Sequence, residues 1–312
     1  MDAQPKETCM VAAIIVLYYP DVARLARLLY SVTSQVNHII IIDNTETTSE
    51  KLPALFECYK NYITYIPQIM NIGLAEAHNV GIDICARKGY SHVLLLDQDS
   101  TLSPNMVHNL LHAESILLDS GKKIAGISPQ IIDENTGALP CVCRYVWFTA
   151  HRIGKTMLCN ISQQTDTIIS SGALIRISAL QVIGVMRGDL FIDHVDTEWA
   201  LRSQYYGYMC YCAPSAILYH RIGDATRNIF GKNIFLHSNI RHYYQLRNEV
   251  YLVRTNTMGL QWRAYILPRI LYHFVLFLFL SDNYYITSQM LFKAVCDGIT
   301  GKLGKSMLPV RY

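Results

Sequence analysis

The chain has 312 residues, 51% of them hydrophobic, which is enough to bury a large core in one big domain or two smaller ones and is too apolar for a disordered chain. Its formal net charge of +3 is unevenly spread, since residues 221–312 carry +8 and the first 220 carry −5. That rules out a uniformly basic nucleic-acid binder and marks the C-terminal third as a basic module, with no nucleic acid expected as a partner.

Residues 1–10 are polar, and the apolar run from Val11 to Tyr19 is short and stops at Pro20. No signal peptide is evident, and the expected location is the cytoplasm. Residues 11–18 read as a buried strand, after which Asp21 opens a helix with Leu25, Leu28, Leu29 and Val32 on one face. Strands are expected over 39–42, 62–66 and 92–96, and helices over 50–60 and 74–87. This βαβαβαβ alternation predicts a parallel, doubly wound sheet of the nucleotide-binding type. Past residue 120 the pattern is mixed. Strands are expected at 124–128, 167–171 and 208–211, with a helix at about 195–206, while 130–165 reads as irregular.

The nine cysteines are an odd number scattered along the chain, so they read as buried thiols more than as a disulfide framework. The pairs Cys141/Cys143 and Cys210/Cys212 lack the CxxC spacing of zinc sites. Near the C-terminus, Trp262, Arg263, Tyr265 and Arg269 precede an apolar run over 270–280, which is far shorter than the roughly 20 residues a bilayer span requires. Arg, Trp and Tyr beside an apolar surface suit a segment lying on an anionic membrane face. A buried core helix or a dimer seam has the same composition.

The chemistry begins at Asp97-Gln98-Asp99-Ser100, directly after the apolar run 93–96. Two carboxylates at the carboxyl end of a buried strand suit Mg²⁺ or Mn²⁺ bridging a diphosphate. The competing reading is a loop acid before a helix that starts at Ser103-Pro104. Asp43 leaves the second strand where a carboxylate can meet a base or ribose. Residues 71–81, with Asn71, Gly73 and Ala77, put small residues at a helix start where a nucleotide can approach the backbone. Tight helix–sheet packing would select the same glycines. Further on, Ser171 and Gly172 are followed by a dense acidic stretch with Asp193, Asp196, Glu198 and Trp199, where an acceptor site and a general base are expected. The helix dipole would also favour acids there. His220 reads as a third metal ligand, a phosphate contact or a core histidine. Arg247 reads as a bidentate phosphate grip, or as part of a solvated helix face.

The ordered set IIDN (41–44), NIGLAEAHNVGI (71–82), LLLDQDS (94–100), SSGALIR (170–176), FIDHVDTEWALR (191–202), LYHRIG (218–223) and YYQLRNEVYL (243–252) resembles family 2 inverting glycosyltransferases. It is most similar to the bacterial rhamnosyltransferases that build O-antigen and related surface polysaccharides. The resemblance covers about residues 10–255. It implies a GT-A fold over residues 1–255, with a nucleotide-binding half (10–100) and an acceptor half (101–255), while the basic, apolar composition of 256–312 predicts a helical, membrane-associating region there. It also implies a nucleotide-sugar donor, dTDP-L-rhamnose in this branch or another sugar nucleotide, and a divalent cation. By the same resemblance, Asp43, Asn71, Gly73 and Ala77 shape the nucleotide pocket. Asp97 faces the ribose–diphosphate, Asp99 binds metal, and Arg247 sits near a phosphate. The family's base lies six residues before an Arg, which from Arg202 gives Asp196. Val195 departs from the usual Glu, and Asp193 stands as the alternative base. Together with the basic tail, the expected acceptor is a polyprenyl-diphosphate-linked saccharide at the inner face of the cell membrane.

A different family shares one motif. Residues 94–102 also fit the hhhDxDxTL signature of haloacid-dehalogenase-type phosphatases, with Asp97 as nucleophile, and Gly188-Asp189 to Asp193 resembles their GDxxxD element. Three strand–helix units precede this signature here, whereas those enzymes carry it early.

Overall fold

The computed structural model describes residues 9–47, 52–133, 137–138, 142–153, 162–220, 225–229, 232–236, 239–281 and 283–307. The first half alternates as the apolar pattern dictates: β1 (Val11–Leu17), α1 (Val22–Thr33), β2 (His38–Asp43), α2 (Leu52–Glu57), β3 (Ile63–Pro67), α3 (Leu74–Arg87) and β4 (His92–Asp97). The four strands are parallel, with β1 between β2 and β4. β1 is apolar throughout because both faces are covered. Val11, Ala13, Ile15 and Leu17 pack with Leu25, Leu28, Leu29 and Val32 of α1, while Ala12, Ile14 and Val16 face the layer that contains α3. Asp21 caps α1, its carboxylate accepting from the backbone N–H of Ala23 and Arg24 at 2.9 and 3.0 Å.

The second half adds β5 (Thr101–Leu102), α4 (Met106–Asp119), β6 (Ile124–Asp133), β7 (Gly137–Ala138), β8 (Val142–Val146), β9 (Thr149–Ile153), β10 (Gln163–Thr165), β11 (Leu174–Arg176), α5 (Ile177–Ile183), α6 (Val195–Tyr205), β12 (Met209–His220), β13 (Ala225–Ile229), β14 (Lys232–Leu236), α7 (Asn239–Leu252), α8 (Leu260–Phe279) and α9 (Tyr284–Thr300). The main sheet runs β10-β12-β6-β11-β4-β1-β2-β3. β11 lies antiparallel between β4 and β6, and β6 and β12 are again parallel. The result is a mixed α/β fold with a mostly parallel central sheet.

Several expectations change here. Residues 167–171 are a loop between β10 and β11, because their polar groups are spent elsewhere: Thr165 donates to the Thr167 carbonyl, and the Ser170 N–H donates to Asp196. The stretch over 130–165 holds the end of β6 and the β8–β9 hairpin. α4 starts at Met106 behind Asn105, whose left-handed backbone (φ 61°) ends the turn after Pro104. β12 is far longer than 208–211 and carries His220 to the β4 edge. The run over 270–280 is the end of a 20-residue helix with Pro268 inside it. Cys212 is disulfide-bonded, so the thiol reading fails at that position; Cys9, Cys58, Cys85, Cys143, Cys210 and Cys296 are free, but Cys9 and Cys58 are exposed, not buried.

The C-terminal helices are not a detached tail. Tyr243, Tyr244 and Leu246 of α7 cluster with Phe277 of α8 and with Leu291 and Ala294 of α9. α9 approaches α7 so closely at Gly298 that a Cβ there would sit 2.7 Å from the Arg247 carbonyl oxygen. Among the described residues, no helix is long and apolar enough to cross a membrane.

Candidate active site

A cavity of about 1330 Å³ opens at the carboxyl ends of the parallel strands, where ligands of such sheets collect. One wall is the β4 exit. Gln98 ties it to β1, accepting from the Tyr18 N–H at 2.8 Å and donating to the Tyr18 carbonyl at 3.1 Å. This clasp leaves the carboxylates on either side, Asp97 and Asp99, on the cavity lining. Ser171 supports the turn from below: its hydroxyl accepts from the Asp97 N–H at 3.3 Å and lies 2.6 Å from the Ser100 hydroxyl. His220, at the end of β12, puts Nδ1 3.4 Å from Asp99 Oδ1 and Nε2 3.7 Å from Asp97 Oδ2. Withdrawal from solvent pushes the Asp97 carboxyl above its ordinary range. The His220 imidazole opposes this, and Asp99 and Asp196 add to it. Among the described residues no group of three or more His, Cys, Asp or Glu side chains is arranged to hold a metal ion. Asp97, Asp99 and His220 meet as acid–imidazole pairs, although two hard carboxylates and an imidazole are a donor set that Mg²⁺ or Mn²⁺ accepts.

The opposite wall is the loop before α6. Phe191, Asp193 and His194 all have left-handed backbones, at φ 67°, 63° and 60°. Non-glycine residues hold such angles only when their surroundings enforce them. Asn248 of α7 does so, its side-chain amide donating to the carbonyls of Leu190, Ile192 and Asp193 at 3.1, 2.9 and 2.9 Å. Arg247 adds a bond to the Leu190 carbonyl at 2.9 Å. α3 closes against the loop because Gly73 (φ 88°) has no Cβ; one would fall 2.6 Å from the Phe191 ring and 2.8 Å from its carbonyl oxygen.

This loop presents two carboxylates in different states. Asp193 is paired with Arg241 of α7 at 2.7 Å. Among the described residues Asp196 has hydrogen bonds and no ion pair, accepting from the Thr197 N–H at 2.7 Å, the Thr197 hydroxyl at 3.4 Å and the Ser170 N–H at 3.2 Å. Burial holds its carboxyl above the ordinary range, against the two backbone bonds and the nearby His194. That combination suits a general base. Behind them, buried Glu249 takes His194 at 3.2 Å and His273 of α8 at 2.8 Å.

Of the residues singled out in the sequence, Asn71, Gly73, Asp97, Asp99, Asp193, Asp196 and His220 line this cavity. The others do not. Asp43 is buried, its carboxylate held by the Thr45 N–H and the Tyr65 hydroxyl, and the neighbouring Asn44 takes the place on the wall. Ala77 lies in the core layer. Ser171 and Gly172 sit beneath the Asp97 turn, Gly172 against Pro129 and Leu218. Glu198 is fully buried and paired with Arg202, and the Trp199 indole donates to the Gly184 carbonyl. Neither can meet an acceptor from there. Arg247 is not a phosphate grip: its guanidinium is buried, bonded to the carbonyls of Gly304 and Leu190 and stacked on Tyr244. The cationic lining comes instead from Arg241, Lys293 and Lys305. The basic composition of the tail is read in the sequence as membrane-facing, and nothing in it marks which residues turn into the cleft. Asp189 pairs with Arg187 and is absent from the lining, so of the GDxxxD element only Asp193 shares the cavity with Asp97 and Asp99.

The Glycosyl transferase family 2 profile matches residues 13–184. The chain is 29% identical over 300 residues to the dTDP-rhamnosyl transferase RfbF of Shigella flexneri, spanning 94% of this chain and 97% of that one. Its fold matches GalNAc-T7 solved with UDP, GalNAc and Mn2+ (TM-score 0.59, 12% identity) over 95% of this chain and 58% of that one. It also matches Staphylococcus aureus TarS (TM-score 0.58, 13% identity), covering 93% of this chain and 49% of that one. With a GT-A type sheet and a carboxylate-lined cleft at its strand ends, the chain belongs to glycosyl transferase family 2 and is a glycosyltransferase.

Proposed function

We propose that this enzyme transfers L-rhamnose from dTDP-L-rhamnose to a saccharide hydroxyl with inversion at the anomeric carbon. The observation that carries the reading is the near full-length likeness to a dTDP-rhamnosyl transferase, 29% identical across 97% of that protein. Asp196 takes the proton from the acceptor hydroxyl, whose oxygen bonds to the anomeric carbon as the bond to the diphosphate oxygen breaks and dTDP leaves. Asp97, Asp99 and His220, which are not arranged as a three-ligand site here, are the side chains that would have to turn toward Mg²⁺ or Mn²⁺. Such a cation, when bound, neutralises charge building on the departing diphosphate. Arg241 fixes Asp193, which leaves Asp196 the carboxylate with no salt-bridged cation among the described residues. Asp196→Asn is expected to lower turnover by about 10²–10⁴-fold with saturating donor and acceptor, measured as dTDP release. Near-normal turnover in that variant would remove Asp196 from the role of base.

The acceptor we propose is a saccharide on a polyprenyl diphosphate, as in O-antigen synthesis, met by the enzyme at the cytoplasmic surface of the cell membrane. Support comes from α8, where Leu267, Leu271, Val275 and Phe279 recur every four residues and are 54%, 69%, 57% and 60% exposed. A helix face of this kind beside arginines suits an anionic lipid interface. Replacing Leu271 and Val275 by Glu should abolish co-sedimentation with vesicles containing anionic lipid while leaving the melting curve in place. Undiminished sedimentation would refute the membrane role.

A further inference from the structure

His78, on α3, is fully buried, and neither of its ring nitrogens has a hydrogen-bond partner among the described residues. Burial pushes its pKa down to about 4, so at neutral pH it is an uncharged imidazole with one N–H donor and one acceptor nitrogen. Its neighbour Asn79 makes two bonds to the Met186 backbone, which fixes the rotation of α3 and turns His78 toward the sheet. There it faces a cavity of about 10 Å³ whose walls include Leu95, Ile175, Met186 and Trp199, and whose polar members are Ser170 and Asp196. That volume is at the lower limit for a single water molecule. The small cavity shares Ser170, Val195 and Asp196 with the large one, so Asp196 stands between substrate space and His78. Oδ1 of Asp196 accepts from the Thr197 N–H at 2.7 Å and its hydroxyl at 3.4 Å, whereas Oδ2 accepts the Ser170 N–H at 3.2 Å and has room for a second donor.

We propose that the small cavity holds one water that bridges the His78 ring to the Asp196 carboxylate, which makes His78 a positioning residue for the base. The imidazole N–H donates to the water and the water donates to Asp196. Donation toward the carboxylate favours its ionised form and offsets the burial that raises it. The other charged groups acting on Asp196 are Asp193 and His194 in the loop before α6 and Asp97 at the end of β4. The remaining walls of the small cavity carry no titratable side chain. The inference rests on Asp196 being the base.

The test is the pH dependence of kcat/KM in His78→Leu, His78→Phe and His78→Gln, with melting curves alongside. If the water bridge exists, Leu and Phe move the acid limb up by about half to one pH unit, the worth of one modest hydrogen bond, and Gln restores it. An unmoved acid limb in Leu and Phe overturns the proposal. That result with a raised melting temperature would identify His78 as an unpaired polar group in a dry core. Asp196→Asn separates the two levels. A variant that turns over normally removes the base reading and this inference with it, whereas an inactive Asp196→Asn beside an unmoved limb removes only the inference.

Discussion

Asn248 shows how much a single side chain can carry. Its three bonds to the carbonyls of Leu190, Ile192 and Asp193 hold a loop with three left-handed non-glycine residues. Asn248→Ala leaves the Ile192 and Asp193 carbonyls short of donors, while that of Leu190 keeps Arg247 and the Ile192 N–H, and we expect about 2–4 kcal/mol less stability in denaturant unfolding, with turnover reduced as Asp196 loses its setting. Stability within about 0.5 kcal/mol of the parent would show that other contacts hold the loop. Nothing in the sequence singles out Asn248, because its role depends on which face of α7 meets the loop, a tertiary fact. Asp97 and Asp99 were legible because an apolar run ending in acids marks a strand exit from its own composition. Arg247 was misread for the complementary reason: an Arg at a helix surface and an Arg stacked on Tyr244 under a loop have the same local sequence.

Among elements, the β1–β4 sheet and its helices followed from periodicity, and α3 starts and ends where the pattern places it. β11 did not, since a three-residue antiparallel strand between two longer ones owes its place to its neighbours. The junction between α3 and the loop before α6 depends on Gly73. An alanine there must adopt a backbone region reserved for glycine, at a cost of about 1–3 kcal/mol, and must also displace Phe191. Gly73→Ala should therefore weaken dTDP binding at least tenfold by titration calorimetry while the sheet melts as a folded unit. Unchanged affinity would mean the loop is positioned without α3. The mixture of apolar and basic residues in α8 suits a membrane-lying segment and equally a core helix or dimer seam, and its 20-residue length and its packing on α7 came from tertiary contacts.

At the scale of the molecule, the sequence divides into a catalytic part and a basic tail, whereas in the structure the tail forms part of the cleft. Lys293, Lys305 and Ser306 line it, and His273 of α8 reaches the loop before α6 through Glu249 and His194. Burial opposes the charged form of both partners, yet their hydrogen bond prevails, holding His194 above its ordinary pKa and Glu249 below. The raised His194 contributes stability that is complete below about pH 6.5 and is lost as pH rises through its folded value. The depressed Glu249 contributes stability present above about pH 4.5, lost as pH falls through its folded value. The stability difference between the parent and Glu249→Gln should thus be greatest between about pH 5 and 6.5 and shrink by pH 8.5 in urea unfolding. A difference that stays flat to pH 8.5 would mean His194 is neutral throughout. The central claim is that the cleft between the β4 carboxylates and the α6 loop takes a thymidine diphosphate sugar. Titration calorimetry of dTDP-L-rhamnose against UDP- and GDP-sugars, in Mn²⁺ or Mg²⁺ and with Asp99→Ala beside the parent, tests it most directly. The account predicts preferential binding of dTDP-L-rhamnose that Asp99→Ala weakens at least tenfold; equal binding of all three nucleotides, or none by the parent, would contradict it.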